Sequence, residues 1–343
     1  LSSPEVRIRT AEDLRAALGS ADLGVRLAVL RSLSGDPTPA LKLEVNLVEL
    51  YGFPSDPQEA QAWAELLGKL PGADSALLDL LTRGTYPSIL VAAAQGLSPR
   101  SATMVEPLGQ LLLRTKETDR KRVVASLLVA VEGLDTELAL LVSLWAQVPV
   151  EPPALNQATL DVWCKHLDHP RARAHLERQG AEETGLLLER WSSLSHASRR
   201  WLLGLAVERD WREWGPALLR QEDEDAVVTG LTLGAGPSQR WLDDARPSVR
   251  VAALLSEFPE NWRTRLEGEA DPLVRRALVR ATHALWTSEQ LVELIAGDDW
   301  ELRALAADEL ARRPGCHEAL ATLDTQDPAA IAALHRVAQQ SGY

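Results

Sequence analysis

Residues Pro247–Phe258 read PSVRVAALLSEF, Pro272–Leu285 read PLVRRALVRATHAL, and Trp300–Arg313 read WELRALAADELARR. In each, apolar residues recur at three- and four-residue steps, the spacing of one helix face, with no alternating run long enough for a strand. After Asp271, residues Leu273, Val274, Ala277, Leu278 and Ala281 fall on one predicted stripe. Asp271 offers an N-cap oxygen, and Pro272 occupies the first helical position, where its missing N–H costs nothing. Thr287 followed by Gln290 predicts a capping box ahead of Leu291, Leu294 and Ile295, and Asp327-Pro328 predicts another helix start. Helices of about 8–15 residues broken by Gly, Pro, Asp and Ser turns are expected from Thr10 to Gln340. The fold class is all-α.

The three stretches also repeat one another. Their arginines, Arg250, Arg275 and Arg303, stand 25 and then 28 residues apart. A further step reaches Ile331 in DPAAIAALHRV, where the apolar pattern continues without the arginine. Near the other end, Gly24 to Leu30 follows the same template, and looser copies begin at Tyr86, Asp119 and Asp223. A single short helical hairpin cannot bury its apolar face, whereas stacked hairpins share one continuous core. At roughly 30 residues per unit, about eleven helix pairs are expected. The expected architecture is therefore a single α-solenoid over residues 1–343. An irregular joint is expected near 148–154, where VPVEPPALNQ starts at Val148, and GAGPSQ from Gly234 is a second irregular stretch.

The pattern Asp-x-x-Val-Arg-x-x-Ala-x-x-Leu resembles the HEAT repeat, in particular the short HEAT-like variety of the phycobilisome-lyase type. The resemblance is good over residues 246–313 and 21–34. It implies helical hairpins stacked into a curved superhelix, with Asp271, Arg275, Asp299 and Arg303 forming a ladder of pairs between neighbouring repeats. Arg250 fits that ladder, but Arg246-Pro247 stands where Asp-Pro is expected.

Composition bounds the function. The 343 residues carry 49 acids against 36 bases, a net charge of −13, which argues against a broad nucleic-acid surface. No stretch reaches the roughly 18–20 uncharged apolar residues of a membrane span. Two cysteines, Cys164 and Cys316, make no disulfide framework. The opening LSSPEVRIRT has no basic segment followed by an apolar run, so no signal peptide is expected in it. The expected compartment is the cytoplasm.

Eight of the eleven tryptophans fall between Trp191 and Trp300. Such residues line peptide grooves, but Trp211, Trp214 and Leu218 share one face, as do Trp262 and Leu266, which is core spacing. Cys164, His166, His169 and His175 carry the right donors for a soft divalent ion. Their spacing is poor, since Cys164 and His166 diverge on a helix and Pro170 breaks it after His169. Glu222 to Asp225 read as a solvated turn before a helix N-terminus. A lone Cys316-His317-Glu318 does not supply the several His-Glu dipeptides of HEAT-repeat di-iron hydroxylases. No cofactor is expected.

Three function classes follow. The first is a non-catalytic scaffold that binds a protein partner on a concave surface lined by second helices, with Arg212, Arg240, Arg265, Glu289 and Glu293 as candidate contacts. The second is a HEAT-like enzyme, an alkylpurine DNA glycosylase or bilin lyase. The third is a structural spacer or assembly factor. Large repeat surfaces mostly bind macromolecules, which favours the first.

Overall fold

A computed structural model describes residues 9–38, 47, 54, 56–98, 103–236 and 238–313, with isolated positions at 321, 331–332, 335 and 338–339. Asp327-Pro328 and Cys316 to Glu318 lie outside the described residues. Contacts divide the chain into two compact units, Leu1–Ala174 and His175–Tyr343. Among the described residues every regular element is a helix. None of these helices is long and apolar enough to cross a membrane.

The first unit contains α1 (Ala11–Leu18), α2 (Leu23–Gly35), α3 (Pro57–Leu67), α4 (Asp74–Arg83), α5 (Pro87–Leu97), α6 (Val105–Arg114), α7 (Thr118–Leu128), α8 (Thr136–Trp145) and α9 (Leu160–His166). α2 packs on α3, α3 on α5 and α5 on α7, while α4 and α6 fill in beside this file. Leucine dominates the interior: Leu30, Leu66, Leu67, Leu77, Leu81, Leu97 and Leu108 are wholly buried, with Trp63 as the large filler. Where α3 and α5 meet, the chain needs glycine. A Cβ on Gly68 would lie 2.8 Å from the Cα of Gly96.

Ala146 to Thr159 is the irregular stretch between α8 and α9, and it contains the predicted joint. The indole N–H of Trp163 donates to the Pro153 carbonyl at 3.2 Å, and the Thr159 hydroxyl to the Ala154 carbonyl at 2.7 Å. The boundary between the two units falls downstream of it, inside α10 (Pro170–Leu176).

The second unit continues with α11 (Ala181–Gly185), α12 (His196–Glu208), α13 (Gly215–Leu218), α14 (Glu224–Thr232), α15 (Pro247–Ser256), α16 (Trp262–Gly268), α17 (Pro272–Thr282), α18 (Ser288–Ala296) and α19 (Trp300–Ala311), interspersed with short 3-10 turns. Here α12 packs on α14, α14 on α15, α15 on α17 and α17 on α19. Val227, Val249, Ala253, Val274 and Leu278 form the core of the middle of this file. Leu291, Ile295, Ala306 and Leu310 close its end.

The predicted caps at Asp271 and Thr287 form: Asp271 accepts the N–H groups of Leu273 and Val274, and Thr287 with Gln290 makes the reciprocal capping box. Asp299, expected only in the ladder, also caps a helix, accepting the N–H groups of Glu301 and Leu302. The tryptophans mostly pack: Trp63, Trp163, Trp191, Trp211 and Trp214 are buried, and the rings of Trp211 and Trp214 lie 4.7 Å apart. Trp300, at 70% exposure, is the exception.

Three of the four template arginines, and Arg173 on a further helix, fold back onto the carbonyl two residues before the helix cap. Arg26 donates to the Ser20 carbonyl, Arg173 to Leu167, Arg250 to Asp244 and Arg303 to Gly297. Each closes the turn leading into its own helix. Pairs that bridge successive helices of a file are Arg26 with Glu59, Arg199 with Asp223, and Arg276 with Asp299, the first from a template arginine and the others from different positions. Asp299 is thus held by Arg276, while Arg275 is exposed to solvent.

Candidate partner groove

The second unit carries an open groove of about 920 Å³ across α14, α15 and α17. It arises from helix register. The fifth residue after each cap lines it (Val228 after Asp223, Val251 after Arg246, Arg276 after Asp271), and so does the ninth (Thr232, Leu255, Arg280). These positions share one helix face, so packing the helices side by side sets their side chains in two rows. The second residue after a cap adds Ser248, Leu273 and, from α19, Glu301. Leu255 and Leu273 project into the groove at 72% and 59% exposure.

This corrects the sequence expectation for α17. The predicted stripe placed Leu273, Ala277 and Ala281 together with Val274 and Leu278. In the structure Val274 and Leu278 are buried, whereas Leu273, Ala277 and Ala281 line the groove. A helix with apolar residues over a wide arc serves the core with one edge of that arc and an open surface with the other. α15 does the same, with Val249, Ala253 and Leu254 inward and Val251 and Leu255 outward.

The charged lining consists of Arg212, Arg276, Arg280 and Glu301. Arg276 donates to Asp299 at 2.8 Å and lies 3.2 Å from Glu301. The hydrogen bond to Asp299 is the main reason its pKa stands above the ordinary arginine value. Arg280 reaches Glu301 only at 3.5 Å. Arg212 gives its Nε–H to Asp210, with oxygens at 3.0 and 3.1 Å, and these bonds raise its pKa. Asp210 sits in the left-handed region at φ 52°, a conformation that aspartate tolerates better than most residues.

A second recess of about 490 Å³ lies between the segment Leu242 to Ala245 and the helices α15, α16 and α17. Its polar wall is closed. Arg250 donates to both oxygens of Glu269 at 2.9 and 3.1 Å, and Arg265 to Asp243 at 2.8 Å. A third, of about 600 Å³, lies in the first unit on α2, α3 and α5. There the ninth residues after the caps are Arg31, Glu65 and Gln95, so the same register gives a polar rather than an apolar surface.

The five predicted contact residues do not converge. Arg212 lines the apolar groove and Arg265 lines the second recess. Arg240 stacks over the Trp241 ring at 4.4 Å, and Glu289 and Glu293 are exposed on α18. Glu289 accepts N–H and hydroxyl groups of its own helix start, its own N–H first, which lowers its pKa. Sequence reasoning missed Leu255, Leu273, Arg276 and Arg280.

The Cys/His group is likewise spread out. Cys164 is a half-buried thiol outside any disulfide. His166 stands 3.5 Å from Glu137, and His169 packs edge-on against Trp145 at 4.6 Å. His169 does not end a helix: its Nδ1 accepts the Arg171 N–H at the start of α10. His175 lies against Gln179, with 3.1 Å between their side-chain nitrogens. Burial lowers the pKa of both His166 and His169. Among the described residues no group of three or more His, Cys, Asp or Glu side chains is placed to hold a metal ion.

Neither protein-family models nor curated proteins give a match to this chain.

Proposed function

We propose that this chain is a helical-repeat scaffold, an α-solenoid of HEAT-like hairpins, that holds a protein partner in the groove across α14, α15 and α17. The observation that carries the reading is the pair Leu255 and Leu273, two large apolar side chains exposed at 72% and 59% in one concave, arginine-rimmed surface. Exposed leucine within a groove marks a surface that gains by being covered. The files α2–α3–α5–α7 and α12–α14–α15–α17–α19 support the repeat reading, because each helix contacts the next at about one repeat's separation in sequence.

The test is a photo-reactive amino acid at position 255, crosslinked in extract of the native organism. A discrete crosslinked protein that disappears when Leu273→Asp is added, and that survives nuclease, supports the reading. Crosslinks only to nuclease-sensitive material would favour the glycosylase alternative. Crosslinks indifferent to Leu273→Asp would remove the groove from the proposal.

A further inference from the structure

Resting on the reading of the groove as a partner site, we infer that its occupant is a peptide segment with an apolar centre flanked on both sides by acidic side chains.

The order of helices sets the pattern. α13 packs on α14, α14 on α15, α15 on α17 and α17 on α19, so the groove has a first end and a last end. Arg212, just before α13, stands at the first end; Val251, Leu255 and Leu273 form the middle; Arg276 and Arg280 stand at the last. The surface therefore reads cation, apolar, cation. Three arginines line the groove; Glu301 is the one carboxylate in the lining, and Asp210 and Asp299 bind Arg212 and Arg276 from beside it. Glu301 is already held by Arg276.

Two of the arginines are available to a ligand. Arg212 and Arg280 have side chains 75% and 65% exposed. Among the described residues Arg212 is engaged through its Nε–H alone, by Asp210, which leaves both Nη groups for a bidentate carboxylate contact. Asp210 fixes the aim of the guanidinium. The global charge adds selectivity. An acidic segment is repelled by most of this surface and admitted at the groove, whereas a basic one is drawn elsewhere and meets arginine here.

The probe is a random-peptide display library selected against the whole chain, with competing selection against Arg212→Glu/Arg280→Glu. Wild type is expected to enrich peptides with Asp or Glu on both sides of Leu, Ile or Phe. Binding of a selected peptide to the double variant should fall roughly tenfold or more. The same peptide should lose affinity for Leu255→Ser, which separates groove binding from ion exchange. Enrichment of basic or uncharged peptides, or no enrichment, overturns the inference. So does an affinity unchanged by the charge reversal. A crosslink from position 255 to a protein, despite such a result, would leave the scaffold reading standing with a partner of different chemistry. Loss of both removes the two together. Both arginines are mainly in solvent; should the double variant not fold, the wild-type selection and Leu255→Ser decide.

Discussion

Arg276 and Asp299 join α17 to α19 across the second unit: the Arg276 Nε–H donates at 2.8 Å to the carboxylate that caps α19. One side chain thus fixes a helix start with one oxygen and a neighbouring helix with the other. Asp299→Ala is expected to cost about 1 kcal/mol through the lost cap. Asp299→Asn, which retains a capping oxygen, should recover most of that. Chemical denaturation with hydrogen exchange on α19 measures both, and equal losses in the two variants would deny the cap its role.

Gly68 and Gly96 bring α3 and α5 together with no room for a methyl group. Gly68→Ala is expected to destabilise the first unit by about 1–3 kcal/mol, the range for overpacking. Gly204, exposed inside α12 with open space where a Cβ would project, should respond oppositely. Gly204→Ala is expected to stabilise by about 1 kcal/mol through helix propensity. Calorimetry of the two variants tests the contrast.

Arg250 and Glu269 are both largely screened from water, with side chains 15% and 14% exposed. Arg250→Met leaves Glu269 without its cation and the Asp244 carbonyl without a donor. A loss of about 2 kcal/mol is expected, and Arg250→Lys should restore only part because a single ammonium lacks the planar fork that meets Glu269 with two nitrogens and the Asp244 carbonyl with the third. A Lys variant as stable as wild type would show that charge alone matters there.

His166 gives the first unit a pH dependence. Burial holds its pKa below the ordinary value, against the pull of Glu137 and with some help from Lys165 and Lys121. The unfolded chain therefore takes up the proton first as pH falls. The stability from the neutral ring is complete above about pH 6.5 and declines as pH drops from there towards the folded-state pKa. His169, also lowered by burial, adds in the same direction. Melting temperatures between about pH 7 and 5 should fall less steeply in His166→Gln than in wild type. Parallel curves would contradict this.

What the sequence discloses and what it withholds follow from range. Caps at Asp271 and Thr287 are legible because donor and acceptor lie within three residues. The helix class is legible because burying Leu and Ala on one face leaves a periodic trace. Neither signal says which neighbour a side chain meets. Arg275 and Arg276 are adjacent arginines in the same helix, and only the placement of α19 makes the second the partner of Asp299. The groove was hidden for a related reason. Leu255 and Leu273 are as apolar as the core residues beside them, and periodicity does not distinguish a face that is covered from one that is open.

The arginine clamp has a consequence for how such a chain tolerates change. Arg26, Arg173, Arg250 and Arg303 each tie a turn to the helix that follows it, using a carbonyl six residues upstream. Each turn is thereby self-contained. Residues added to or removed from the helix before it leave the clamp intact. Variation in length can then be taken up at helix ends, while each of these four corners keeps its geometry.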